Sequence, residues 1–407
     1  MSVIARPILG IDLGTTFSTA AVFSAGEIRL VADERGESCI PTVVHLSRHG
    51  RPVVGTEALR MIEVEPEQTV TGIKRLLGRQ LSDPGVRLFE ASSAVRVAPT
   101  QSGDAGLRLR DGVHPAAEVA SWILRLLKER AERLLGCPVE RAIVTLPASA
   151  TSRTQAATIQ AARIAGLHVE RTIPEPCAAA LAAGLTRFQG QRRVMVYDFG
   201  GGTFDVSVLE QRGTTFRVLA TGGDECLGGD DFDERLARSV ATTVWSSHRV
   251  ELARDRVRWG RVLRQAERVK RALSSRPEAQ LKLAQAYSFG GRWYDIDLMI
   301  RRPEMEPQWA ELVTRSITLS AETLLRAGMR PEGLAGIVLV GGTSNIPLVK
   351  QRVAQVFGRP TTQSEFALTA VAQGAAMLGA QVVDLEQRDT VEAPPDQVAS
   401  AEMRIGR

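Results

Sequence analysis

Two kinds of apolar pattern alternate along the chain. Short apolar runs interrupted or bounded by glycine predict buried strands: ILGIDL at 8–13, STAAVFS at 18–24, RAIVTLP at 141–147 and AGIVLVGG at 335–342. Longer segments carry apolar residues at helical spacing. In 115–135, Val119, Ile123, Leu126, Leu127 and Leu134 mark one face, and Pro115 is placed to start the helix. The same reading predicts helices at 152–165, stopped near Gly166, then from a turn at TIPEP to about Gly184, and at 230–248, 255–273, 307–327, 346–357 and about 367–382. Strands are expected at 193–209, 215–220 and 280–298. From Asp384 onward too few apolar residues remain to pack, and 384–407 is expected to be a disordered tail.

One unit occurs twice. A strand ending in an aspartate, a glycine turn and a second strand are read at 8–23 (Asp12) and again at 193–209 (Asp198), which predicts an internal duplication. Two α/β lobes would then face each other with their glycine turns lining one cleft. A turn such as GGGT in YDFGGGTFD exposes several backbone N–H groups without side chains in the way, and so suits a phosphate. Aspartates beside it suit Mg2+, which takes one or two carboxylates plus waters and phosphate oxygens. A third turn, VLVGGTSN, strengthens the pattern. Neither a Walker A loop nor a dinucleotide GxGxxG leading into a helix is present.

Composition narrows the classes further. The 407 residues, 44% hydrophobic and 24% charged, are too many for a single core and typical of a folded multi-lobed chain. A net charge of +5 is spread over interspersed residues and predicts no nucleic-acid partner. Cys39, Cys137, Cys177 and Cys226 form no CxxC pair, so neither disulfides nor zinc is indicated and a reducing cytoplasm is expected. No signal peptide or membrane span is read, and the five histidines show no catalytic arrangement.

The motifs GIDLGTTFS, GIKRLLGR, EPCAAALAAGL, YDFGGGTFDVSVL, LGGDDFD, AERVKRALSS and VLVGGTSNIPLV follow one another over roughly 8–380. Together they resemble the successive signatures of DnaK-type chaperones of the heat shock protein 70 family, and more broadly of the actin-like ATPase superfamily. The resemblance implies an actin-like α/β fold of two duplicated lobes with ribonuclease-H-like sheets around a nucleotide cleft. Lobe I would cover 1–187 with a returning helix at about 366–383, and lobe II 188–365 with a subdomain at about 228–308.

It implies ATP or ADP as ligand, with Mg2+ held through water by Asp12 and Asp198 and K+ as a further candidate ion. Thr15, Thr16, Gly201, Gly202 and Thr203 would cradle the phosphates, and Gly14, Phe17, Gly200, Gly228, Gly229, Gly341, Gly342 and Thr343 would also belong to the nucleotide site. Lys74 corresponds to the catalytic lysine, and Glu175, Asp205 and Thr203 complete the catalytic group with the two metal-side aspartates. Glu267, Lys270, Arg271 and Ser274 match the adenosine-binding helix, and Asn345 would also belong to the nucleotide site. Read without the resemblance, Lys74 is a solvated surface lysine and Glu267, Lys270 and Arg271 an exposed helix face.

Departures from the family pattern cluster. Phe17 and Asn345 replace a polar or tyrosyl residue and an adenine-stacking arginine. Ser149, Ala150 and Gln155 replace the aromatics and arginine that relay nucleotide state, although Pro147 is kept. Pro174 stands where an asparagine implicated in J-domain docking is usual, which argues against a J-domain partner, although Arg171 is retained. The polar tail replaces the linker and peptide-binding module, so no substrate-binding domain is expected. The expected protein is a monomeric ATPase module with slow turnover, working with a nucleotide-exchange factor or another chaperone-system protein. A non-hydrolysing ATP sensor or scaffold, and an actin-like polymerising ATPase, are the alternatives.

Overall fold

A computed structural model of the chain describes residues 7–24, 26–184, 191–213, 215–363 and 367–392. The expected lobe boundary at 187/188, the start of the returning helix at 366, and residues 393–407 of the expected tail lie outside these.

A six-stranded and a five-stranded sheet organise the molecule. The first contains β1 (Ile8–Leu13), β2 (Phe17–Ser24), β3 (Glu27–Leu30), β4 (Arg141–Leu146) and β5 (His168–Pro174), in the order β5-β4-β1-β2-β3 with Ile40–Pro41 added beside β2. The second contains β6 (Gln191–Phe199), β7 (Phe204–Arg212), β8 (Thr215–Asp224), β9 (Gly336–Val340) and β10 (Thr361–Gln363), in the order β8-β7-β6-β9-β10. In each sheet three consecutive strands form an antiparallel meander, and two later strands join parallel to the first of them. Apart from Ile40–Pro41, the two sheets share one strand order and one pattern of parallel and antiparallel pairs. The later strands arrive through helical crossovers, as parallel pairing requires.

Helices cover these sheets. α1 (Ala116–Leu135) and α2 (Ser152–Ile164) belong to the first and α4 (Gly229–His248), α6 (Arg302–Arg326) and α7 (Pro347–Phe357) to the second, while α5 (Arg256–Leu273) packs on α4 and on a separate hairpin, Glu278–Phe289 with Arg292–Arg301. Between the sheets lie α3 (Glu175–Ala182) and α8 (Ala370–Glu392). Their buried Ala178, Ala180, Ala370 and Ala375 form one apolar cluster with Ile8 and Ile143 of the first sheet and Val194, Val196 and Val338 of the second. Small side chains let backbones approach closely here, which accounts for the alanine-rich runs. Cores on the far side of each sheet are built from larger residues, including Phe232 and Trp309 in the second.

Several boundaries differ from the sequence reading. TIPEP is no turn: Thr172–Pro174 finish β5, pairing with β4 up to Leu146↔Pro174. α6 begins at Arg302, five residues before the expected start, and takes Pro307 inside it. Pro307 lies in the second turn, where one intrahelical donor is lost but the helix continues beyond it. α8 continues as helix to Glu392, past the expected start of the tail at 384; no glycine or proline interrupts 380–392, and Pro394 follows the end. Among the described residues no helix is long and apolar enough to cross a membrane, and the four cysteines are unpaired.

Candidate functional site

In open α/β sheets, ligands bind beyond the carboxyl ends of parallel strands. Here that rule brings the candidate residues together. β1 ends with Asp12 and Leu13; its parallel neighbour β4 places Thr145 beside Asp12, and Thr145 Oγ1 donates to Asp12 Oδ1 at 3.4 Å. β5 runs directly into α3, whose first residue is Glu175. In the second sheet β6 ends at Asp198–Phe199, and the parallel strand β9 ends at Val340 opposite Asp198. A Cβ on Gly341, which has φ +80°, would sit 2.6 Å from Asp198 Oδ1. The third glycine turn thus lies against the second aspartate.

The hairpin DFGGGTFD pairs Asp198 with Asp205 and Phe199 with Phe204. Strand alternation then turns both aspartates to one face and both phenylalanines to the other. The phenylalanines are fully buried, at 5.2 Å from each other and with Phe199 at 5.6 Å from Phe232, all edge to face. An aromatic anchor below holds an acidic pair and a glycine turn above. Gly200 N closes the turn by donating to Thr203 O at 2.9 Å, and the Thr203 side chain hydrogen-bonds Asp205.

Lys74 lies in a single tight helical turn, Ile73–Leu76, and its Nζ donates to Glu175 Oε1 at 2.6 Å. The two side chains are 15% and 12% exposed, so the lysine is no solvated surface residue. Burial alone would lower its pKa, but attraction from Glu175, Asp12 and Asp205 outweighs that and raises it. The carboxylates respond oppositely. Burial pushes Asp12 up to about 7, with Glu175 adding and Lys74 opposing. Asp205 is pushed up to about 6 by burial and Glu175, and Asp198 well above the usual range by burial and then Asp205, Glu175 and Asp12. Four carboxyl groups share one ammonium. Such an excess of buried negative charge fits a divalent cation. Among the described residues no group of three or more His, Cys, Asp or Glu side chains is arranged to hold a metal ion directly.

The two glycine turns face each other. A Cβ on Gly201 would lie 2.7 Å from Thr16 Oγ1, and one on Gly202 3.1 Å from Arg75 Nη2. Arg75 Nη2 also donates to Gly202 O and to Glu225 O, each at 3.1 Å, tying the first unit to the second. Arg264 of α5 pairs with Glu63 across the same gap. Gly228 and Gly229 open α4 against the GGGT turn, with Gly229 N donating to Gly200 O at 3.1 Å and Asp230 N to Gly201 O at 2.7 Å. Behind the acidic group is a cavity of about 10 Å3, lined by Glu175, Asp198, Asp205, Pro147, Ser207 and Thr221, with room for about one water.

Other assigned residues sit differently. Gly14 and Thr15 form the β1–β2 turn and the half-buried Phe17 opens β2. Gly342 and Asn345 are in the turn after β9, where Thr343 Oγ1 donates to Gly200 O at 2.7 Å. On α5, Glu267 and Arg271 form an exposed pair at 3.8 Å, and Ser274 caps the helix with its hydroxyl donating to Lys270 O at 3.4 Å. Lys270 is buried and bonded to Gly229 O and Asp233. Gln155 Nε2, in place of the relay arginine, donates to Thr172 Oγ1 at 3.1 Å. Sequence reasoning missed Thr145, Arg75 and Asp233. The first carries no signal of its own in the sequence; Arg75 and Asp233 stand inside GIKRLLGR and LGGDDFD, where the motif itself was the available signal.

Paired sheets with an acidic, glycine-lined gap make this a mixed α/β protein compatible with the actin-like ATPase fold. Residues 8–391 match the family model described as Hsp70 protein. The chain belongs to the Hsp70 family, whose members are ATP-binding chaperones and in general ATPases.

Proposed function

We propose that the two sheet units are lobes that close on MgATP and hydrolyse it to ADP and phosphate. The reading is carried by one observation: Asp12, Lys74, Glu175, Asp198 and Asp205 interact with one another at the strand ends where three glycine turns meet. The turns at 14–16, 200–203 and 341–343 offer backbone N–H groups to the phosphates. Lys74, held by Glu175, stabilises negative charge that builds on the γ-phosphate oxygens as water attacks in line. Glu175 and Asp205 border the small cavity and orient the attacking water, and Thr203 fixes Asp205. Asp12 and Asp198 would hold Mg2+ through water, and the ion, when bound, neutralises phosphate charge. Contacts made to the nucleotide from both lobes favour the closed state. MgATP turnover by the purified chain, with and without Mg2+, tests this. Mg2+-dependent phosphate release is expected; tight ATP binding without release would make the protein a sensor.

A further inference from the structure

The proposed reaction leaves two hydroxyl side chains behind the acidic group unused. Asp205 and Ser207 lie on one face of β7, and Ser207 is paired across the ladders with Val196 of β6 and Thr221 of β8. Ser207 is 3% exposed. Ser207 and Thr221 line the cavity of about 10 Å3 together with Glu175, Asp198 and Asp205, and apolar side chains supply the rest of its wall.

Counting hydrogens decides what this wall can bind. Thr221 has one hydroxyl hydrogen, and it goes to Val206 O at 3.3 Å. The 3.2 Å contact between the two hydroxyls is then donated by Ser207 Oγ to Thr221 Oγ1. Ser207 has no second hydrogen, so it meets the cavity only as an acceptor. Ionised carboxylates also only accept, so the hydroxyl and the Asp205 carboxylate cannot bond each other. A space the size of one water, with acceptors from both groups in its wall, suits a water that gives one hydrogen to each.

We propose that Ser207 and Thr221 hold one buried water, distinct from the attacking one, that donates to Ser207 Oγ and to the Asp205 carboxylate. With one carboxylate oxygen held from behind and the Thr203 side chain bonded to the same group, Asp205 keeps the orientation in which it accepts from the attacking water. Ser207 and Thr221 are then positioning residues for hydrolysis, and nucleotide binding does not depend on them. This rests on the ATP-hydrolysis reading above.

The experiment is single-turnover MgATP hydrolysis and ADP titration by the full chain, for wild type, Ser207→Ala, Thr221→Val, Thr221→Ser and the double variant Ser207→Ala with Thr221→Val, together with a high-resolution crystal structure of wild type. Expected are one water in the cavity, hydrolysis slowed about tenfold in Ser207→Ala with ADP affinity within about twofold of wild type, and a double variant no slower than Ser207→Ala, because both hydroxyls act through one water. Thr221→Ser, which keeps the hydroxyl, should restore most of the rate lost in Thr221→Val. Unchanged hydrolysis in Ser207→Ala, a loss of ADP affinity equal to the loss of rate, or a dry cavity in the wild-type crystal would overturn the inference. Where Ser207→Ala does not fold, the two Thr221 variants decide, and equal rates in them overturn it. A wild type that releases no phosphate overturns the ATPase reading and this inference with it; wild-type turnover with an unaffected Ser207→Ala overturns this inference alone.

Discussion

Gly201→Ala tests whether the two glycine turns oppose each other. The backbone at Gly201 lies outside the left-handed region, so alanine meets no conformational strain. The obstacle is across the cleft: the added methyl would lie 2.7 Å from Thr16 Oγ1 and 3.0 Å from both Thr16 Cβ and Cγ2. Relieving these contacts requires the turns to part by roughly 0.5–1 Å, and inserting one methyl into a filled space costs about 1–3 kcal/mol. None of the contacted atoms belongs to an apolar core, so on the proposed closure around nucleotide this cost falls on closure and spares folding. Nucleotide affinity should fall roughly five- to hundredfold, with thermal unfolding of the free protein shifted little. Thr16→Ala removes two of the three contacted atoms. In that background the effect of Gly201→Ala should shrink by half or more on a logarithmic scale. Titration with a fluorescent ADP reads both quantities. Affinity within twofold of wild type for Gly201→Ala, or an undiminished effect in the Thr16→Ala background, would refute the opposed-turn geometry.

Further consequences can be measured separately. Arg75→Ala deletes two cross-unit hydrogen bonds, worth about 0.5–1.5 kcal/mol each, and should speed ADP release about tenfold in stopped-flow; unchanged release would deny the tie. In metal-free protein Asp12 and Asp205, raised to about 7 and about 6, keep protons that the unfolded chain loses above pH ~4. Their contribution therefore makes stability fall as pH rises from about 4 to 7. Urea unfolding in a chelator should show a more negative slope for wild type than for Asp12→Asn, by about 1 kcal/mol or more over that range, and equal slopes would contradict the assignment. Trp309, 1% exposed with Nε1 donating to Phe232 O at 3.1 Å, anchors the aromatic stack below the GGGT turn. Trp309→Ala should cost about 3–5 kcal/mol in urea unfolding, and a loss under 1 kcal/mol would show that the core relaxes around it.

Where a pattern had only one physical meaning, the sequence was legible. The apolar runs ending in aspartate and glycine at Asp12 and Asp198 became strand ends with turns, because a run buried on both faces cannot be amphipathic. Between 40 and 115 the strands are short, as at Val43–Leu46 and Pro52–Val54, and their apolar positions carry no period long enough to detect. Pro307 misled because a proline early in a helix reads as its start, and TIPEP because prolines read as turns, whereas Pro174 completes a strand whose partner is 28 residues earlier, at Leu146. The site's acidic members were found through their motifs. What no motif carried was the partner of each: Thr145 reaches Asp12 through strand order, and Asp233 meets Lys270 through the packing of α4 on α5. Both depend on which elements pack together.

The most direct measurement is single-turnover ATP hydrolysis with Mg2+ by wild type and Lys74→Ala, with nucleotide binding followed in the same samples. The account predicts that wild type hydrolyses ATP, while Lys74→Ala binds it and slows the chemical step by two orders of magnitude or more, roughly the share of one well-placed charge. Tight ATP binding by wild type with no turnover, or hydrolysis by Lys74→Ala at the wild-type rate, would contradict it.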